Sequence, residues 1–314
     1  MVRGTVEEHS GALASADLVG RASPLVMRGF DRGRAWTQEK WNSQAWLRAA
    51  RRAWSGKALT LALASKGADG RLGLGSTGRR TSNYESREVL FDEFSERITG
   101  SRGEGAVYLH GHLISEFFPG LAELLGLPSE EEPDARIWMG SGQQVAAHFD
   151  QMDNVARAVH GRREFILFPP DQLPNLYPGS LEFTPAGAPT SVADVFDPDY
   201  DRFPRLELAL AASQAVTIAE GDALFIPHHW WHAAPGLVSW TGAGSSRVAP
   251  RSGWRLRASH GLGMRGKAHR GVDEQLRLER RSHPRRAQLH HRTSAWPHHC
   301  HGWWRRHHAY FDAD

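Results

Sequence analysis

Between residues 136 and 237 the chain is cut into short apolar segments by residues that end strands. Arg136-Ile-Trp-Met-Gly140, Val145 to Asp150, Asn154 to His160 and Glu164 to Phe168 come first, followed by Ala215 to Ala219, Ala223 to Ile226 and Trp230 to Leu237. Gly161 and Glu220-Gly221-Asp222 supply tight turns, and Pro169-Pro170 stops a strand because proline cannot donate to a ladder. Leu181 to Phe203, rich in Pro and Asp, interrupts the series as a long excursion. This punctuation predicts a mainly β fold.

Two of these segments carry groups that strands would bring together. His148 and Asp150 lie two apart, so on a strand both project from one face. His232 follows 84 residues after His148, at the end of Gly221-Asp-Ala-Leu-Phe-Ile-Pro-His-His-Trp-Trp-His232. Two imidazoles and one carboxylate on one side of a metal leave the other side open, which is the donor set of non-haem Fe(II) oxygenases. His228 and His229 compete with His232 for the role, but Pro227 argues that they still belong to a turn. Short strands around a metal predict an antiparallel double-stranded β-helix, a relative of the jelly roll and cupin folds, with flanking helices.

Upstream, Ser23 to Gly29 reads as a short strand and residues 1–20 as loosely held. Trp36 to Trp54 reads as a helix with Trp41, Trp46, Leu47 and Ala50 on one face. Lys57 to Ala64 is a strand, Gly67 to Arg80 a loop, and Val89 to Ile98 a helix with Leu90, Phe91, Phe94 and Ile98 at helical spacing. Ala106 to His110 reads as a strand, and Ile114 to Leu127 as short helices broken at Pro119-Gly120. Asp171 to Tyr177 suits a turn or short helix, and Arg205 to Ser213 a helix.

Gly161-Arg-Arg-Glu-Phe-Ile-Leu-Phe-Pro-Pro170 within Asn154 to Tyr177, together with Gly221 to Pro227 and Trp230-Trp231-His232, resembles the cupin-like branch of the JmjC hydroxylases. That branch includes the asparaginyl hydroxylase that inhibits hypoxia-inducible factor. The resemblance spans roughly residues 20–238 and implies an Fe(II)- and 2-oxoglutarate-dependent dioxygenase acting on a protein, peptide or small molecule. It implies His148, Asp150 and His232 as iron ligands, and Arg163 where the asparaginyl hydroxylase places a Lys for the distal carboxylate of 2-oxoglutarate. Tyr108 matches a Tyr sharing that carboxylate, and Asn154 an Asn near iron and co-substrate. Val145 stands in place of a Thr, so one hydrogen bond to the co-substrate is missing. The bland readings are a surface cation for Arg163 and core packing for Tyr108. Lys57 and Arg157 are the next cations to consider, and Trp230 and Trp231 read as packing.

The net charge of +3 conceals a division. Residues 251–314 hold 14 basic side chains against 5 acidic ones, whereas residues 1–250 hold 24 against 30. The body therefore has no nucleic-acid footprint. No apolar run reaches the ~20 residues of a membrane span, and Met1 to Ser23 lacks the apolar core of a secretory signal. With a single cysteine, Cys300, a reducing cytoplasmic setting is expected.

Three portions are expected: residues 1–105 packing on the barrel, a double-stranded β-helix over 106–238, and an irregular tail over 239–314. The tail reads as a basic arm for nucleic acid or acidic partners, as a metal tract around His298 to His301, or as out-of-frame text after a frameshift. Trp240-Thr-Gly-Ala-Gly-Ser-Ser-Arg247 lacks strand alternation, so the closing barrel strand is expected to be absent. The family resembled pairs through helices near its C-terminus. Here only Gly271 to Arg281 is helix-like, with Val272, Leu276 and Leu278 too few for a dimer seam. The alternatives to an active oxygenase are a non-catalytic cupin-fold binding protein and a frameshift-damaged, inactive hydroxylase.

Overall fold

The computed structural model describes residues 4–38, 41–64, 70–74, 84–100, 106–127, 135–180 and 187–235, and the backbone of 241–247. In chain order the strands are β1 (Gly4–Thr5), β2 (Glu7–Ser10), β3 (Leu25–Arg28), β4 (Leu59–Ala64), β5 (Arg71–Leu72), β6 (Tyr84–Val89), β7 (Val107–Leu113) and β8 (Arg136–Ser141). They continue with β9 (Gln144–Phe149), β10 (Asn154–His160), β11 (Arg162–Phe168), β12 (Gln214–Ala219), β13 (Ala223–Ile226), β14 (Trp231–Ala234) and β15 (Thr241–Arg247). The helices are α1 (Ser15–Leu18), α2 (Ala35–Gln38), α3 (Ser43–Ala53), α4 (Phe91–Gly100), α5 (Ile114–Phe117), α6 (Pro119–Leu125) and α7 (Leu206–Ala211).

The strands form two sheets, ordered β1-β12-β11-β14-β9-β5 and β2-β3-β13-β10-β15-β8-β7-β4-β6. Neighbours among β7 to β15 pair antiparallel, the pattern expected of a cupin-like barrel. One core lies between the sheets. Phe165, Leu167, Val216 and Ile218 of the smaller sheet meet Val26, Ala156, Ala158, Leu224 and Ile226 of the larger. On β11 the alternate residues Ile166 and Phe168 face the other way, where Leu176, Phe203, Leu206 and Leu210 cover them. Both faces of β11 are thus buried, and its sequence is nearly continuous in apolar residues as such strands require.

Helices cover the outer face of the larger sheet. Trp36, Trp46, Phe91, Phe94, Phe118 and Leu121 pack over Leu59, Leu61, Leu109, Ile137 and Met139. Each of the large rings contributes roughly 1.5–3 kcal/mol by leaving water. Helix α3 starts at the Asn42 cap, whose side chain accepts from the Ala45 N–H at 2.9 Å. Such a cap is worth ~1 kcal/mol. The helix buries Trp46, Leu47 and Ala50.

Three expectations need correction. The helix expected over Trp36 to Trp54 is two helices, α2 and α3. The stretch expected to be loose over residues 1–20 is tied down from Gly4 onward: β1 pairs with β12 and β2 with β3, both parallel. All six of their residues are exposed, so the edges are held by backbone hydrogen bonds, by the ion pairs Arg21–Glu7 and Arg28–Glu8, and by the buried Val6 between them, and no apolar alternation announces them. The third concerns barrel closure. Thr241–Arg247 pairs antiparallel with β10 on one side and β8 on the other, in the middle of the larger sheet. A ladder is made by backbone N–H and C=O groups, so a stretch rich in Gly, Ala and Ser can fill it without alternating polarity. Residues 248–314, including His298 to His301 and Gly271 to Arg281, lie outside the described residues. Among the described residues no helix is long and apolar enough to cross a membrane.

Candidate metal centre

Strands β9 and β14 run side by side, with His148 directly opposite His232. A register irregularity follows, so that Ala234 faces Val145. Val145 and Ala234 both pack on the core between the sheets, and so turn inward as His232 does. The two imidazole centroids are 4.2 Å apart, with planes inclined by 56°. Asp150 stands one residue beyond β9. Its carbonyl accepts from the His229 N–H at 2.9 Å, tying the strand end to the turn before β14. Its carboxylate lies 3.8 Å from His232 Nε2. One donor atom from each of His148, Asp150 and His232 falls within 4.8 Å of the others.

The hydrogen bonds around these groups set the imidazole tautomers. His148 Nδ1 lies 2.9 Å from the Ala146 carbonyl and His232 Nδ1 3.2 Å from the Trp230 carbonyl. A carbonyl can only accept, so each Nδ1 carries the proton and each Nε2 keeps a free lone pair. That is the arrangement a metal-binding histidine needs. Burial lowers the His232 pKa from 6.5 to about 4, with His148 acting the same way and Asp150 against it. The ring is therefore neutral near neutral pH. Asn154 opens β10 and donates to Asp150 Oδ2 at 2.6 Å, which holds the carboxylate in place.

Arg163 lies further along β11 on the same face as Phe165 and Leu167, and Leu167 is the residue opposite His232. The guanidinium is buried, and its Nε has no hydrogen-bond partner. Its carbon sits 5.9 Å from the Tyr108 ring centroid. Burial pushes the Tyr108 phenol pKa up, while the charge of Arg163 and a hydrogen bond to it pull down. Among the described residues no carboxylate pairs with Arg163. A buried cation in that condition costs several kcal/mol unless a ligand supplies the anion, so the site fits a carboxylate-bearing co-substrate.

The remaining candidates fall elsewhere. His228 is in the turn and pairs with Asp153 at 2.8 Å, more than half exposed. His229 is in the same turn with φ of 65°. Arg157 is committed to Asp31 and Lys57 to Glu116. Trp230 donates to the Ala22 carbonyl and packs in the core between the sheets, while Trp231 is fully buried on the other face. His110 was not singled out from the sequence, yet it follows Tyr108 on β7, with ring centroids 6.3 Å apart and nearly parallel. Burial lowers its pKa to about 4. A cleft lined by Arg71, Leu72, Gln144, Ala146, Ser191 and Phe196 opens beside β9. Sequence reasoning had placed most of its wall in loops without a role, and no local signal marks it.

A sequence model of the cupin-like domain family matches residues 12–249. HSPB1-associated protein 1 from Homo sapiens is 35% identical over 109 residues, 34% of this chain and 22% of that protein. Lysine-specific demethylase JMJ31 from Arabidopsis thaliana is 36% identical over 97 residues, covering 31% and 17%. Lysine-specific demethylase 8 from Danio rerio is 28% identical over 160 residues, covering 48% and 38%. The chain thus spans less than two fifths of the length of these curated relatives.

Proposed function

The chain belongs to the cupin-like, JmjC-type domain family, and from that premise we propose that it is an Fe(II)- and 2-oxoglutarate-dependent oxygenase. The observation that carries this reading is the inward cluster of His148, Asp150 and His232 with both Nε2 lone pairs free. In this reading those three side chains hold the metal, and Arg163 and Tyr108 receive the distal carboxylate of 2-oxoglutarate. Held there, Fe(II) and 2-oxoglutarate would supply oxidative decarboxylation, to succinate and CO₂, coupled to hydroxylation of a substrate C–H. The protein's own contribution is positional. Ala146 and Trp230 carbonyls orient the imidazoles, Asn154 restrains Asp150, and Arg163 fixes the far end of the co-substrate by charge. Val145 cannot donate a hydrogen bond, so that end rests on Arg163 and Tyr108.

The substrate we favour is a side chain of a protein. Two of the relatives are named lysine-specific demethylases, and removal of an N-methyl group begins as hydroxylation of its C–H. Hydroxylation of an unmethylated side chain is the other form of the same chemistry. Succinate release by the purified chain with Fe(II), 2-oxoglutarate and peptide pools tests the reading. It should be abolished, together with stoichiometric iron, in His148→Ala. Gain of one oxygen or loss of one methyl by the peptide separates the two forms. Unchanged iron content in the variant would refute the ligand set. We read the basic tail after residue 249, where the cupin-like match ends, as out-of-frame text, and resequencing the gene around that codon tests it.

A further inference from the structure

A second cluster lies at the other end of β10. Asn154 begins that strand at the metal centre and His160 ends it, a separation of about 20 Å at ~3.3 Å per residue. His160 Nδ1 is 3.2 Å from Glu220 Oε2, and His160 Nε2 is 3.1 Å from Ser43 Oγ. Three distant parts of the chain meet here: the first turn of α3, the end of β10, and the turn between β12 and β13. That turn is fixed by Gly221, whose N–H donates to the Ala158 carbonyl at 2.8 Å and whose φ is 88°.

The tautomer again follows from the partners. A carboxylate can only accept, so Glu220 holds the proton on His160 Nδ1. Nε2 of a neutral ring is then an acceptor, and the Ser43 hydroxyl is the donor that faces it. A hydroxyl on an imidazole base, with the base oriented by a carboxylate, is the geometry of an activated serine nucleophile. Ser43 is half-buried and opens an 11-residue helix. The Asn42 side chain accepts from Ala45 N–H and the Asn42 carbonyl from Trp46 N–H. The Gln44 N–H follows Ser43 in the first turn of the helix, the position held by the amide after the nucleophile in hydrolases that build their oxyanion site this way.

We propose that Ser43, His160 and Glu220 form a second, metal-independent site that takes small carboxylic esters as acyl donors. Ser43 Oγ bonds to the ester carbonyl carbon as its proton passes to His160 Nε2. The Gln44 N–H stabilises the developing oxyanion. The C–O bond to the alcohol breaks, and His160 returns the proton to the departing alkoxide. Water, deprotonated by the same ring, then releases the acid and restores Ser43, so the sum is ester plus water giving acid plus alcohol, with no redox change.

The test uses the full chain and two probes: a fluorophosphonate, with peptide mapping of the adduct, and p-nitrophenyl acetate turnover. Ser43 should carry the adduct, with and without a metal chelator. Ser43→Ala should abolish both signals. Glu220→Gln should slow both while leaving iron binding at the distant centre intact, which shows that the fold is retained. General-base assistance is worth roughly 10²- to 10⁴-fold, so His160→Gln should lose a factor in that range. Absence of a Ser43 adduct under conditions that label a control serine hydrolase would overturn the proposal. A labelling rate unchanged in His160→Gln or Glu220→Gln would overturn it too, by reducing the cluster to a clasp between α3 and the barrel.

Discussion

Arg157 and Arg163 sit on neighbouring segments of chain, in β10 and β11, and both are buried, but they are neutralised differently. Arg157 donates through Nε and Nη2 to the Asp31 carboxylate at 3.1 and 2.6 Å and through Nη2 to the Leu125 carbonyl at 2.8 Å. Asp31 is fully buried and also receives Arg34 at 2.8 Å. Arg163 faces the rings of Tyr108 and Phe165, and among the described residues no acid pairs with it and its Nε has no partner. The first charge is closed inside the protein and ties the segment after β3 to the barrel. The second is left open toward the space that contains the metal-ligand cluster. The contrast teaches that burial alone does not mark a functional cation; what marks it is burial without an internal counter-charge.

Breaking the closed pair should have the largest effect. Asp31→Ala leaves Arg157 buried and unpaired, and should cost about 3–5 kcal/mol of folding stability, read from the urea midpoint and slope. A loss below ~1 kcal/mol would mean that Arg157 finds water, and the two arginines would not differ as described. Arg163→Met should do the reverse. Stability should hold or rise, because an uncompensated charge is removed, while 2-oxoglutarate affinity falls roughly tenfold to a hundredfold, the ~1.5–3 kcal/mol of a charge-assisted hydrogen bond. Calorimetric titration of the metal-loaded protein measures it, and equal affinity in parent and variant would move the co-substrate role elsewhere. Tyr108→Phe keeps the ring and removes the hydroxyl, so a smaller loss is expected, about two- to tenfold from ~0.5–1.5 kcal/mol.

The smallest effect is one of pH. The folded pKa of His232 lies at about 4, below its ordinary 6.5. Between those values the unfolded chain binds a proton that the folded chain refuses. Metal-free stability should therefore fall as pH drops from 6.5 toward 4. Arg163 is the last of the causes lowering that pKa, whereas Arg157 is not among them. An NMR titration should place the His232 pKa slightly higher in Arg163→Met. No movement would show that the open cation does not reach the metal cluster.

What could be read from the sequence follows from how local each signal is. His148 and Asp150 were legible because strand geometry relates i to i+2, and His232 because Pro227 excluded the two histidines before it. The bulge beside Val145 and the carbonyls of Ala146 and Trp230 were not, since nothing in the residue types encodes a hydrogen bond to the backbone. Strand β15 was misread for a related reason: its pairing with β8 and β10 depends on what lies on either side. Ser43, His160 and Glu220 are separated by 117 and 60 residues, and only the closed barrel brings them together. The cupin-like match to residue 249 also extends past the limit of 238 taken from motifs alone.

The position of β15 has a consequence for synthesis. It is the last strand described, yet it lies in the middle of the larger sheet, between β8 and β10. A chain leaving the ribosome exposes the facing edges of both partners until Arg247 has emerged. At ~5–20 residues per second, the seven residues from Thr241 to Arg247 take roughly a second, but the long-range pairing that follows is slow because the loop must close first. During that interval the half-built sheet offers two unpaired edges to any neighbouring chain. Yield of soluble protein should therefore respond to chaperone supply and expression temperature more than the stability of the finished barrel would suggest.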